Sequence, residues 1–457
     1  MYSIRQERLF SLEQLLEMSP REGYELIFQD LDITPFLHAN SKNNHFGAPV
    51  SLNYMAMIYS LFIRVVERIP TIKDLVRRLK RSIEFRDDCG FTGADQIPSE
   101  AAYSRMIKKI QTANILQSTH HQLIAQAFQE GFIDATVVAI DATHIEARDR
   151  QPEKKTENSE ALPTELPKKK RGRKSKAERE QWLKEQEELE AARSLFEKKV
   201  EQQLPYSFDE LDKEIPLDPE WGVKKNSEGK NVFWYGFKGH LLVDCQSQHI
   251  LTALFSSAHI NDGKMAIPLL KSLAEHHPYL LVKHVLGDAG YDLGPIYKQA
   301  ELLGARALID YNRRNEQPVE GKDKYFRPVC QQSHPYLYDS FDPKYETLKY
   351  TQPKECKQCP LNHGQCQKVF KIKISTDLRK YTVPARGSDS YKDLYKQRTA
   401  VERVNAYLKE FFQLNNIRHR TGHLAKVDFQ ISCLTYTLCK LAVDRVNRYQ
   451  KTFKEVA

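Results

Sequence analysis

Residues 391–409 read YKDLYKQRTAVERVNAYLK, and the way this stretch lies on a helix decides how the rest of the chain is read. At about 100° per residue, with Tyr395 at zero, Arg398 falls near about 300°, Glu402 near about 340° and Lys409 near about 320°. Leu394, Val401, Val404, Leu408, Phe411 and Phe412 collect on another face, between about 160° and about 260°. One side packs while the other offers an ordered Tyr, Arg, Glu, Lys stripe. By periodicity alone this is a solvated charged face. Two aspartates at upstream strand ends make it a candidate site.

A chain of 457 residues with 40% hydrophobic content can bury a sizeable core, and its length suits two or three domains. No apolar run nears the roughly 18 residues that span a bilayer, and MYSIRQERLF lacks a signal-peptide core. The expectation is a soluble, cytoplasmic protein. Net charge is +9, yet residues 167–179, PKKKRGRKSKAER, carry eight basic residues and one acidic, so this one segment holds +7. Such a block suits a polyanion such as DNA, or serves as a solvated linker. The cysteines at 89, 245, 330, 356, 359, 366, 433 and 439 are read as reduced thiols.

Residues 1–125 read as an all-α domain. Thr71 is an N-cap for IKDLVRRLKRS, and Ser99 caps a helix carrying Tyr103, Arg105, Lys108 and Lys109. These short basic helices form a helix-turn-helix or a plain bundle. Residues 135–140, ATVVAI, form a buried strand closing on Asp141, where a carboxylate costs desolvation unless something compensates it. NVFWYGFKGHLLVD and HILTALFSSAH pair as an antiparallel hairpin around CQSQ. Asp262 reads as the cap of GKMAIPLLKSLAEHH. YLLVKHVLG, residues 279–287, is a second buried strand ending on Asp288 within GDAGYD, where Gly287 and Gly290 suit a sharp turn beside a ligand. A helix, LGPIYKQAELLG, and a strand, ARALIDYN, follow.

The order Tyr395, two residues, Arg398, three residues, Glu402, six residues, Lys409 resembles the third-carboxylate signature of bacterial insertion-sequence DDE transposases. Pro98-Ser99 with Tyr103-Ser104-Arg105, the run Tyr235-Gly236-Phe237-Lys238-Gly239-His240 with His259 and Asp262, and GDAGYD around Asp288 resemble further motifs of that group. The resemblance covers most of the chain apart from residues 150–220. It implies an α/β RNase H-like catalytic core over residues 130–450, an all-α DNA-binding domain over residues 1–125, and two insertions. Arg105, Lys108 and Lys109 would touch DNA from the first domain. Asp141, Asp288 and Glu402 would be catalytic and would hold two Mg²⁺ ions, since three converging carboxylates repel one another until cations neutralise them. Tyr395, Arg398 and Lys409 would contact backbone phosphates or stack on a base.

The implied partners are double-stranded DNA, as element ends and target, and a second copy of the chain in the DNA complex, at the nucleoid; no membrane is expected. The implied activity is cleavage at the 3′ ends followed by joining to target. Two other classes compete: a transposase-derived DNA-binding protein that no longer cuts, and a hydrolytic nuclease on the same fold.

In the first insertion, residues 150–220, Ser175 and Glu178 are spaced as a capping box for a long charged helix. At its base, Lys168, Lys169, Lys170, Arg171, Arg173 and Lys174 are candidates for phosphate contact. Arg171-Gly172-Arg173 resembles a minor-groove AT-hook, with Lys174 in the place of its proline. In the second, residues 312–384, Cys356, Cys359 and Cys366 have the spacing of three zinc ligands, with Cys330, His363 or His334 as the fourth. Cys433 and Cys439 read as packing residues.

Overall fold

Helices α1 (Pro20–Phe28), α2 (Thr34–Asn40), α3 (Tyr54–Val66), α4 (Ile72–Arg81), α5 (Ile83–Asp88), α6 (Glu100–Thr112) and α7 (Ile115–Gln129) precede the first strand. The structure, a computed structural model, describes residues 20–41, 52–93, 95–148, 176, 179–184, 188, 193–225, 228–314, 316–360, 366–417 and 421–456. The expected caps form: Thr71 Oγ1 accepts from the Asp74 amide at 3.0 Å and Ser99 Oγ from the Ala102 amide at 3.2 Å. Helix α3 is apolar almost all round, so it is buried almost throughout. Its one charge, Arg64, donates from Nη2 to Asp428 Oδ1 at 2.6 Å on α13 (Gly422–Val456), the 35-residue last helix. The first helices, the last helix and the sheet therefore share one continuous core, in which Cys433 and Cys439 are buried.

Strand β1 (Val137–Glu146) runs on past Asp141 rather than ending there. Its antiparallel partner β3 (Asn231–Asp244) sustains it, from Asp141 opposite Leu241 to Glu146 opposite Gly236. Gly236 is required by this approach, because a Cβ there would lie 2.2 Å from the Ile145 carbonyl oxygen. On the other side, β5 (His284–Gly287) runs parallel to β1 and their last pair is Ala139 with Leu286. Strand β5 is shorter than the expected span: its first ladder pair is His284 with Val137, and before it Lys283 only donates to the Thr136 carbonyl, at 2.9 Å, and accepts from the Arg306 amide.

Strand β4 (Ile250–Ser257) pairs antiparallel with β3, forming the expected hairpin, and β6 (Arg306–Ile309) pairs parallel with β5. The order is thus β4, β3, β1, β5, β6. Strand β2 (Glu220–Lys225), which the sequence reading missed, prolongs the β4 edge: Gly236 faces Glu146 on one side and Glu220 on the other. Before β2, α8 (Phe208–Glu214) starts with a capping box of Ser207 and Glu210. The box expected at Ser175 and Glu178 lies outside the described residues, as do Lys168, Lys169, Lys170, Arg171, Arg173 and Lys174; Lys176 and residues 179–184 and 188 are helical.

Helices α9 (Gly263–His276) and α10 (Gly294–Leu302) follow β4 and β5. The cysteine-bearing insertion contains its own sheet, β7 (Leu337–Asp342), β8 (Thr347–Thr351) and β9 (Val369–Lys373), in that order, over a small aromatic core. A buried ion pair ties it to the main sheet, Arg379 Nη2 to Asp292 Oδ2 at 2.7 Å. Among the described residues no helix is long and apolar enough to cross a membrane.

Candidate active site

The last pair between β1 and β5 sets the site. Asp141 and Asp288 each stand two residues beyond it, Asp141 on the continuing β1 and Asp288 just past the end of β5. Because side chains alternate along a strand, both carboxylates start from the same face at the same level. Asp288 opens the turn Ala289–Tyr291, and its Oδ1 accepts from the Gly290 amide at 2.8 Å. Helix α12 (Thr399–Glu410) lies across β1 and β3 and buries Val401, Val404 and Leu408 against them. Glu402, Asn405 and Lys409 are thereby turned to a cavity of ≈ 350 Å³ that Asp141 and Asp262 also line.

The electrostatics are those of crowded acids. Asp141 is pushed up to about 6, first by burial, with Asp288 and Asp262 adding to the rise and Arg398 opposing it. Asp288 is exposed as a whole, yet atoms packed around its carboxyl and the Asp262 charge raise it, against the Gly290 amide and Arg398. The direct partner of Asp141 is a neutral one, the Asn405 amide, Nδ2 to Oδ2 at 3.0 Å. Glu402 pairs with Arg398, Oε1 to Nη2 at 2.8 Å.

This donor set fits a hard divalent cation: it is all oxygen, and the Asp141 carboxyl is raised by burial and in part by the Asp288 charge. As the side chains stand, no three His, Cys, Asp or Glu among the described residues form a group that could hold a metal ion. Glu402 would have to leave Arg398 to join one.

Two site expectations change. The stripe from Tyr395 to Lys409 is not one helix: α11 (Asp389–Lys396) ends, and α12 starts after Arg398. The angular count therefore holds within α12 but not back to Tyr395, whose hydroxyl donates to the Gly287 carbonyl at 3.2 Å and whose ring stacks on Tyr391. Asp262 does not cap α9, because its own backbone is already helical and its side chain makes no cap bond. Instead its Oδ1 meets Lys238 Nζ at 2.8 Å, on the side of the cavity facing α12. Sequence reasoning also missed Asn405, His144 and Lys224. Asn405 carried a usable signal, lying three residues after Glu402 and so on nearly the same helix face.

Arg105, Lys108 and Lys109 are exposed along α6. In the insertion, the Cys356 thiol is raised first by burial and then by Cys330, Cys359 and Cys366. His334 is exposed, and His363 lies outside the described residues.

Residues 133–438 match the family described as Transposase DDE domain, and residues 11–109 match a second family described as Transposase domain. The first match covers well over half of the chain. The chain belongs to the DDE transposases, and the pair of matches makes it a bacterial insertion-sequence transposase by family. No curated protein matches it. Among solved structures, a piggyBac transposase synaptic complex with hairpin DNA is 11% identical, over 95% of this chain and 76% of that one, at a TM-score of 0.38. A score that low carries no structural argument.

Proposed function

We propose that the chain binds the ends of its own insertion sequence, cleaves DNA at the 3′ ends and joins those ends to target DNA, with Asp141, Asp288 and Glu402 as the catalytic carboxylates. The observation that carries this reading is the level placement of Asp141 and Asp288 beyond one strand pair, with Glu402 lining the cavity that Asp141 also lines. An RNase H-like core suits a sheet in which β4, β3 and β1 alternate in direction while β5 and β6 run parallel to β1. The proposed division is a helical domain over 1–125, a catalytic core over 130–450 and insertions at 150–220 and 312–384; the helices described between Pro20 and Gln129 support the first. A homodimer on paired DNA ends, at the nucleoid, belongs to the same proposal.

Mg²⁺ held by the three carboxylates would activate the attacking oxygen and stabilise the leaving oxygen of the phosphoryl transfer. The chain's own groups do the positioning. Asn405 fixes the Asp141 carboxylate by its amide, Lys238 pairs with Asp262, and Glu402, paired with Arg398, would have to give up that pair to hold the metal. Once freed, the Arg398 guanidinium is a donor for a DNA phosphate. Cys330, Cys356, Cys359 and Cys366 are proposed as a structural zinc set, on their spacing and on the rise that the other three cause at Cys356.

The test is incubation of purified full chain, with Mg²⁺, with duplexes carrying the DNA that flanks its own gene. Nicked 3′ ends and joined products are expected. Tight binding without nicking would replace this reading with that of a DNA-binding descendant, and nicking without joining with that of a nuclease.

A further inference from the structure

The same cavity also gathers positive charge, in an unusual way. Lys224 comes from β2, Lys409 from the last turn of α12 and His144 from β1. Lys224 Nζ lies 2.9 Å from His144 Nδ1 and Lys409 Nζ lies 3.2 Å from the same nitrogen. Two ammonium groups thus share one imidazole lone pair, which can satisfy only part of their donors. A fold that needed only stability would set a carboxylate between two lysines.

A neutral ring has a different effect: it fixes both side chains without cancelling either charge. Burial, then Lys409 and Lys224, push His144 down to about 4, so the ring is neutral near pH 7. Lys409 is pushed down to about 8 by burial and by Lys224, while Asp141 and Glu146 pull it up. The ring itself is held in place. Trp234 packs on it at 5.6 Å between centroids, and Trp234 fits only because residue 222 is glycine, where a Cβ would come within 2.3 Å of the indole.

We propose that Lys224 and Lys409, pre-positioned on His144, form a clamp for one backbone phosphate of the DNA next to the bond that is cut. The proposal rests on the transposase reading above. A phosphate diester carries a full negative charge and oxygens with several lone pairs, so it takes over both ammonium groups from the single imidazole nitrogen. The cavity would then serve two phosphates, the acids the reacting one and the lysines a neighbouring one. Sequence reading flagged Lys409 alone; Lys224 and His144 come together only through the fold.

The test uses full chain without added divalent metal, so that nothing is cut, and the flanking-DNA duplex as probe. The clamp predicts that Lys224→Gln lowers the slope of log affinity against log salt by about 0.9, the loss of one phosphate contact. Lys224→Arg, which keeps the charge, restores the slope. Duplexes with a single uncharged methylphosphonate locate the contact: one position weakens the wild type and has no further effect on Lys224→Gln. Lys371→Gln, an exposed lysine on β9, should leave that positional sensitivity intact. An unchanged Lys224→Gln slope, with positional sensitivity retained, overturns the clamp and leaves the carboxylate reading standing if the wild type still nicks with Mg²⁺. Failure of the wild type to bind DNA at all overturns both.

Discussion

Asp288 and Asp292 stand four residues apart in GDAGYD, and the fold treats them in opposite ways. Asp292 has no exposure, and its oxygens accept from Arg379 Nη2 at 2.7 Å, the Tyr297 hydroxyl at 2.9 Å and the Asn312 amide at 2.9 Å. Asp288 accepts from the Gly290 amide at 2.8 Å, and its carboxyl is raised, first by burial and then by the Asp262 charge. Where only stability is at stake, this chain neutralises a buried charge fully. Where the charge is to meet a cation, it leaves it short of partners.

Mutation of each should break that symmetry differently. Asp288→Asn is expected to lower cutting and joining by several orders of magnitude while DNA binding and melting temperature hold, as measured by cleavage and thermal scans. Asp292→Ala acts on the fold instead: it strands Arg379 in a site built for a carboxylate and should cost about 3–5 kcal/mol in denaturant unfolding. Similar behaviour of the two variants in both assays would remove the distinction.

A finer test uses pH. The folded pKa of Asp141, about 6, is above the ordinary carboxylate value. Its contribution to stability is therefore fully present below the unfolded pKa and is lost as pH rises through about 6. Without divalent metal, Asp141→Asn should be more stable than wild type at pH 7.5, by on the order of 2 kcal/mol, and the gain should vanish near pH 4. A destabilised variant at pH 7.5 would mean that Asp141 is a packing residue like Asp292. Smallest in effect on the whole chain is the insertion: protein purified without chelator should carry about one zinc, and Cys356→Ser should lower both metal content and melting temperature modestly. Unchanged values would make the four thiols ordinary side chains.

The sequence made Asp141, Asp288 and Glu402 legible because each ends or faces a strongly patterned element: an apolar β-branched run, a strand followed by glycines, an amphipathic helix. Apolar runs likewise announced the β3 and β4 hairpin. The strands β8 and β9, TLKYT and VFKIK, carried alternation that could have been read. Other features left no local trace. The break before α12 has no proline or glycine to mark it. Asp262 looked like a helix cap because its real partner, Lys238, is 24 residues away and becomes adjacent only when β3 and β4 pair. His144 and Lys224 belong to strands whose meeting depends on the course of β3.

The central claim is that Glu402 is one of three metal-binding carboxylates, and Glu410 on the same helix is its control. The two differ by about 80° on the helix, and Glu410 is exposed away from the carboxylates that line the cavity. Glu402→Gln keeps size and helix propensity, and gives up only an exposed ion pair with Arg398 worth about 0–1 kcal/mol. Cleavage of the flanking-DNA duplex in Mg²⁺ should fall by several orders of magnitude in Glu402→Gln, with binding retained, and stay near wild type in Glu410→Gln. Normal cutting by Glu402→Gln, or equal loss in both variants, would contradict the assignment of α12 as the helix that carries the third carboxylate.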